Sequence, residues 1–274
     1  MAAQGEATAV VIHGADGRMG RRLMALAHED AGLRLAGAVD RAGSAAVGRD
    51  AGELAGVAPV GVAVTDRLAP EGAVVIDFSV PSATPAVAEA CVAGGSPLVV
   101  GTTGLDDAAE WALAAAAERV PVCVASNFSL VVNVLHALAA QAAKALGDGF
   151  DIELLEAHHR FKRDAPSGTA LALARTVCEA SGRSFDHDVR LARHGDDVPR
   201  EPNEVTVQTL RIGDHPGEHT IYFAGLGERL ELKHVSTSRD SYAVGALRAA
   251  KWLAGRPAGR YAVAEALGLC EGSA

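Results

Sequence analysis

Fifteen residues, Glu156-Ala-His-His-Arg-Phe-Lys-Arg-Asp-Ala-Pro-Ser-Gly-Thr-Ala170, hold two histidines, five charged side chains and a Pro-Ser-Gly-Thr turn. An imidazole gives and takes protons near neutral pH. An ammonium such as that of Lys162 neutralises a carboxylate or a charge that develops during reaction. The Ser167-Gly168-Thr169 turn offers backbone N–H groups at a helix start, where anions settle. The set, with His158 and His159, suits proton transfer to a small substrate that carries carboxylates. No metal is expected. Adjacent histidines leave an extended strand on opposite sides, and no cysteine or carboxylate stands at a familiar zinc spacing beside them. A solvated loop can have the same composition, but the position argues for a site. An apolar strand pattern (Phe150, Ile152, Leu154, Leu155) precedes the run and an alanine- and leucine-rich helix pattern follows it. Such junctions are where α/β proteins keep their chemistry.

A second signal lies near the N-terminus. Ala7 to Ile12 reads as a buried β-branched strand, followed by Gly14-Ala-Asp-Gly17-Arg-Met-Gly20 and a helix pattern through Leu23, Leu26 and Ala27. This is a Gly-x-x-Gly-x-x-Gly variant of the dinucleotide fingerprint, with a tight turn, close backbone approach to a pyrophosphate and a helix N-terminus facing it. A second strand pattern, Leu33 to Val39, ends in Asp40, twenty residues past Gly20. An acid there meets the adenosine ribose hydroxyls. Arg41 follows at once and suits a 2′-phosphate, so the choice between NADH and NADPH stays open.

The elements that position these groups follow two textures. Up to Ser126 the chain alternates buried strands with helices: Gly72 to Ser79, a helix over 81–94, Pro97 to Thr103, a helix over 105–119, and Pro121 to Ser126. That order implies a Rossmann-like parallel sheet with helices on both faces. The strand tips Phe78-Ser79, Gly101-Thr102-Thr103 and Ser126-Asn127-Phe128 fall where such sheets bind ligands. A helix over 130–146 leads out, and the segments 204–212, 218–224 and 228–235 alternate polar and apolar residues. They read as antiparallel strands of an α+β domain with a mixed or antiparallel sheet. Helices are expected over 240–253 and 261–267. The division is a dinucleotide domain over 1–129, completed by 240–274, and a substrate and oligomerisation domain over 130–239. A net charge of −9 argues against nucleic acid as partner. The first residues lack the blocks of a secretory signal, and no uninterrupted apolar run has the length of a membrane span. Cys91, Cys123, Cys178 and Cys270 are scattered, and three sit in apolar segments, as buried thiols of a cytoplasmic protein do.

With both motifs in view, nearly the whole chain resembles the dihydrodipicolinate (4-hydroxy-tetrahydrodipicolinate) reductase family. The run from Glu156 to Ala170 is similar to the family signature at every informative position. Gly14 to Gly20, Gly101-Thr-Thr-Gly104, Asn127-Phe-Ser129 with Asn133, and Gly217-Glu-His-Thr220 also resemble family segments. The resemblance implies NADH- or NADPH-dependent reduction of a cyclic, unsaturated dicarboxylate in lysine and diaminopimelate synthesis. It implies His158 as acid/base group and Lys162 as proton donor. It implies substrate contacts at His159, Gly168 and Thr169, to which the chemistry of the turn adds Ser167, and Thr103 is placed beside both ligands. Cofactor contacts are implied at Gly14, Ala15, Asp16, Gly17, Arg18 and Met19, at Asp40 and Arg41, at Gly101, Thr102 and Thr103, and at Ala125, Ser126, Asn127 and Phe128, to which the strand-tip reading adds Phe78. It further implies a homotetramer built through the second domain's sheet. One departure is visible: Val80 follows Asp77-Phe-Ser79 where some relatives carry a basic residue. Two other readings share the architecture, a semialdehyde-type dehydrogenase and a non-catalytic dinucleotide sensor. The first needs an activated cysteine or an aldehyde-directed base, and no cysteine sits in a basic setting. The second leaves the His-His-x-x-Lys run unexplained.

Overall fold

In the first half of the chain β-branched strands alternate with alanine-rich helices, and the computed structural model, which describes residues 7–269, turns that alternation into a parallel sheet. The strands are β1 (Thr8–His13), β2 (Leu33–Val39), β3 (Val64–Thr65), β4 (Val74–Asp77), β5 (Leu98–Val100) and β6 (Pro121–Val124). The helices are α1 (Arg18–Glu29), α2 (Ala51–Ala55), α3 (Thr84–Gly94) and α4 (Asp107–Ala117). After α5 (Leu130–Leu146) come β7 (Asp151–His158), α6 (Gly168–Ser181), α7 (Phe185–Asp188), β8 (Val189–Arg190), β9 (Val205–Arg211), β10 (Gly217–Ala224) and β11 (Arg229–Ser236). The chain closes with α8 (Asp240–Leu253), β12 (Gly259–Tyr261) and α9 (Val263–Ala266). These elements fold as two units: Met1–Leu130 with Asp240–Ala274, and Val131–Arg239.

The first unit's sheet has the order β12-β6-β5-β4-β1-β2-β3, and every ladder in it is parallel. Both of its faces are covered, as an all-parallel sheet requires. Val10, Ile12 and Ile76 point into a core shared with Leu23 and Met24 of α1 and Ala246 and Leu253 of α8. Val11, Val75 and Val100 point the other way, onto Val87 and Cys91 of α3 and Leu113 of α4. Strand order reverses at β1, which has β2 on one side and β4 on the other. That switch point is where an open α/β sheet leaves a crevice beyond its strand ends.

The second unit is a five-stranded sheet of order β11-β10-β7-β9-β8. One face, with Ile152, Leu154, Val207, Ile221 and Phe223, packs on Leu135 and Ala139 of α5 and Leu173 and Val177 of α6. The expectation of antiparallel pairing holds for β10 with β7 and β11, but β9 runs parallel to β7 and to β8. Polar–apolar alternation reports that a strand has one wet face. It carries no information on direction, which the α6–β8 crossover sets. The span 261–267 is also not one helix: Gly259–Tyr261 pairs with β6 as an edge strand before α9 begins. The helix and turn over Leu130–Gly149 are long and apolar enough to cross a membrane by length and composition. His136, Gln141 and Lys144 interrupt the run, and its face with Leu135, Ala139 and Ala143 lies in the unit's core.

Candidate functional site

At the sheet crest of the first unit, the glycine turn joins β1 to α1. Gly14 has φ +84°, and a Cβ there would stand 2.6 Å from Phe78 O. A Cβ on Gly20 would stand 2.1 Å from Gly14 O. Only glycine fits at either point, so the turn lies tightly against the β4 tip. Gly17 caps α1 without a side-chain hydrogen bond, and the first turn of α1 contains no acid. Its N–H groups and positive dipole end suit phosphate. A cleft of about 690 Å³ opens here, lined by Gly14, Asp16, Gly17, Asp40, Arg41 and Phe78 among others. Asp40 accepts hydrogen bonds from the N–H of Asp16 at 2.7 Å and of Arg41 at 2.9 Å, so the acid at the β2 tip is fixed against the turn. These features fit a dinucleotide on the structure's own geometry.

The remaining cofactor candidates surround this crest. Ala15 is fully buried beneath the turn, and Arg18 and Met19 begin α1. Gly101 and Thr102 follow β5, with Thr103 next and exposed. Ala125, Ser126, Asn127 and Phe128 follow β6. Asn127 Oδ1 accepts from Ser129 N at 2.9 Å, and Phe128 is buried with its ring centroid 6.0 Å from that of Phe78. A group not anticipated from sequence ties the tips together. Asp77, wholly buried, accepts from Ser79 Oγ at 2.6 Å and Thr102 Oγ1 at 3.0 Å, and pairs with His13 Nδ1 at 2.8 Å.

In the second unit the chemistry converges on Glu156, in the central strand and almost wholly buried. Its Oε2 meets His158 Nδ1 at 2.6 Å. Its Oε1 accepts from Ser167 N at 3.0 Å and from Thr209 Oγ1 at 3.2 Å. Arg211, two strand positions on from Thr209, forks onto both oxygens at 2.9 and 3.0 Å. Burial raises the carboxyl's pKa, but the bonds from His158, Arg211 and the Ser167 N–H outweigh it and hold the group at about 2. Glu156 is therefore an acceptor only, and His158 must present a protonated Nδ1 to it. Nε2 is the ring nitrogen left to exchange a proton with a substrate. A Cβ on Gly217 would lie 2.9 Å from that nitrogen, so glycine at the start of β10 keeps its surroundings open.

Ser167 links this pair to the helix start. Its Oγ caps α6 by accepting from Ala170 N at 3.1 Å and lies 3.3 Å from His219 Nε2. Gly168 and Thr169 are the first residues of α6. His159 lies just past the strand, its N–H bonded to His215 O at 2.8 Å and its ring 6.3 Å from the exposed Phe161. Lys162 pairs with Asp164 at 2.9 Å, and Asp164 O in turn accepts from Arg211. The structure thus joins Glu156, His158, Ser167 and Arg211 directly, and Lys162 through Asp164. Arg211, Thr209 and His219 were not among the site residues expected from the sequence. The cross-strand register Thr209–Glu156–His219–His234 brings them together. Among the described residues no three His, Cys, Asp or Glu side chains are placed to hold a metal. Burial pushes Cys91 and Cys123 up to about 12 and Cys178 up to about 11, so none of these thiols is an activated nucleophile. Cys270 lies outside the described residues.

The row has a consequence for acid stability. Burial and the neighbouring His158 and His234 rings hold His219 down at about 3. A histidine whose folded pKa is depressed contributes stability above its unfolded value of about 6.5 and loses it as pH falls towards the folded value. Between pH 6.5 and 5 the loss is about 2 kcal/mol from this residue. His219→Gln, which keeps a partner for Ser167 and does not titrate, flattens the fall by that amount in urea melts at the two pH values. An unchanged slope places the acid lability elsewhere.

Comparison with known proteins agrees at the level of sequence and of fold. Residues 8–128 match the family model described as dihydrodipicolinate reductase, N-terminus, and residues 131–267 match the one described as dihydrodipicolinate reductase, C-terminus. The 4-hydroxy-tetrahydrodipicolinate reductase of Anaeromyxobacter dehalogenans is 50% identical over 96% of this chain and 98% of its own. That of Thiobacillus denitrificans is 51% identical over 95% and 98%. The fold is shared with dipicolinate-bound dihydrodipicolinate reductase from Paenisporosarcina sp. TG-14, with TM-score 0.72 and 22% identity over 94% of this chain and 98% of that one.

Proposed function

The chain belongs to the dihydrodipicolinate reductase family, and from that premise we infer that it reduces 4-hydroxy-tetrahydrodipicolinate, by way of dihydrodipicolinate, to tetrahydrodipicolinate in the diaminopimelate route to lysine. It is an oxidoreductase that uses NADH or NADPH. The observation that carries the reading is the Glu156–His158 pair beside the Ser167 helix start, an acid/base group next to an anion cradle.

The division of labour follows from the two units. Gly14 to Met19, with the uncapped start of α1, would hold the pyrophosphate. Asp40 and Arg41 would meet the adenosine ribose. Phe78, Gly101 to Thr103 and Ala125 to Phe128 would border the rest. Bound there, the reduced nicotinamide supplies a hydride. The second unit must supply the proton that balances it. Glu156 holds Nδ1–H of His158, so the doubly protonated ring would give its second proton from Nε2, become the neutral Nδ1–H form and regain a proton from water. One substrate carboxylate rests on the N–H groups of Ser167, Gly168 and Thr169. His159 contacts the substrate, and Lys162 neutralises the charge that builds as the hydride arrives. Assembly as a homotetramer through the outward face of the second sheet is part of this reading, supported by exposed Leu210 and Val235 on that face. Work in the cytoplasm is supported by three free buried thiols.

The deciding assay follows oxidation of NADH and of NADPH in the presence of the cyclic dicarboxylate generated in situ. Turnover supports the reading, and cofactor binding without turnover points to a sensor. Two variants refine it. Lys162→Ala lowers turnover by roughly 10² with stability within about 0.5 kcal/mol of the parent, since the residue leaves no core cavity; unchanged turnover removes Lys162 from the mechanism. Arg41→Ala weakens NADPH more than NADH, because a guanidinium pairs with a 2′-phosphate and a ribose diol does not need it. Equal weakening shows that Arg41 does not face the ribose.

A further inference from the structure

The dipeptide Asp-Arg occurs twice, at the tips of neighbouring strands. Val39 at the end of β2 faces Thr65 at the end of β3 in parallel register, and Asp40 N donates to Thr65 O at 3.0 Å. Asp40-Arg41 and Asp66-Arg67 therefore leave the sheet side by side. All four residues line the cleft at the glycine turn. Among the described residues neither guanidinium has a hydrogen bond or ion pair, whereas Arg21 and Arg22 beside the same turn are bound to Asp16 and Asp240. Val80, which lines the same cleft, brings exposed apolar surface and no charge. Arg41 and Arg67 are the arginines of the cleft lining.

Each Asp-Arg dipeptide is neutral as a unit. A ribose diol meets such a pair without cost in charge, through an acid that accepts its hydroxyls. A 2′-phosphate, a monoester carrying close to two negative charges near neutral pH, needs two cations there, because one guanidinium is offset by its own aspartate. We propose that Arg67 is the second of them: with Arg41 it clamps the 2′-phosphate of NADPH, and it is the residue that makes NADPH acceptable to a cleft whose two aspartates otherwise favour NADH. This rests on the dinucleotide reading above.

The test measures dissociation constants, by calorimetry, of NADPH, NADH and 2′,5′-ADP for the parent, Arg67→Ala and Arg67→Lys. Arg67 is exposed, and an unshifted melting temperature confirms that each variant is folded. Arg67→Ala weakens NADPH and 2′,5′-ADP by roughly tenfold, the scale of one charge-assisted hydrogen bond, and NADH by less than about twofold. Arg67→Lys recovers part of the loss, because the charge returns without the fork. A change of the same factor for both dinucleotides, or no change in either, overturns the assignment of Arg67. A parent protein that binds neither dinucleotide overturns the dinucleotide reading, and the proposal with it.

Discussion

His158→Gln lowers turnover by roughly 10² or more, the usual scale for loss of an acid/base group, and leaves the Michaelis constant much less affected. His159→Gln does the converse, raising the Michaelis constant through loss of binding present in ground and transition states alike. The two residues are neighbours in sequence, but the fold treats them differently. His158 is the last residue of β7, buried, with Nδ1 on Glu156. His159 is already past the strand, with its backbone tied to His215. A glutamine at 158 can still bond to Glu156 but has no proton to exchange near neutral pH. Steady-state kinetics on both variants checks this. The reverse pattern swaps the roles, and near-normal kinetics in both rejects the segment as the active site.

Glu156→Gln is the second large effect, and it has two parts. Arg211 occupies both carboxylate oxygens and His158 shares one of them. An amide must turn its NH₂ towards one of these donors. It therefore opposes Arg211 in either orientation, and in one of them it also faces Nδ1 of His158, while in both the ring loses the carboxylate that favours a proton on each nitrogen. Turnover falls by roughly 10²–10⁴, the scale of a lost general acid. Stability falls by about 3–5 kcal/mol, because a half-buried guanidinium loses its counter-charge. The double variant Glu156→Gln, Arg211→Met separates the two effects. It recovers much of the stability and none of the turnover. A double variant that recovers both shows that Glu156 only anchors Arg211. The carboxylate also sets an acid limit. Its folded pKa of about 2 lies below the ordinary 4.5, so its contribution, about 3 kcal/mol, is complete above pH 5 and lost as pH falls towards 2.

Much of this was legible in the residues themselves. The β-branched strands with glycine turns announced a parallel sheet, and the spacing from Gly20 to Asp40 announced the cleft. The run from Glu156 to Ala170 announced the second candidate cluster, and the i, i+2 relation of Glu156 and His158 already put them on one strand face. What the sequence withheld was register. Thr209 and Arg211 lie more than fifty positions beyond Glu156, and they become its partners only because β9 runs parallel to β7. His219 and His234 read as polar residues in half-wet strands, yet the pairing of β7, β10 and β11 buries both. The strands β3, β8 and β12 were missed for a simpler reason: two or three residues give no period to count.

The first unit is discontinuous in the chain, and this orders events during synthesis. α8 contributes Ala243, Ala246, Ala249, Ala250 and Leu253 to the core under β1 and β4, and β12 pairs with β6 as the outermost strand of the sheet. A ribosome releasing the chain from its N-terminus exposes the glycine turn long before the helix that must cover one sheet face exists. Until residues 240–261 emerge, Val10, Ile12 and Ile76 lack that cover, and an incomplete parallel sheet is slow to form and prone to aggregate. The segment 131–239 is contiguous and has all of its strands and helices in hand earlier. The later part of the molecule in sequence is thus the earlier one able to close its core, and truncations at the C-terminus strike the sheet beneath the glycine turn before they touch the histidines.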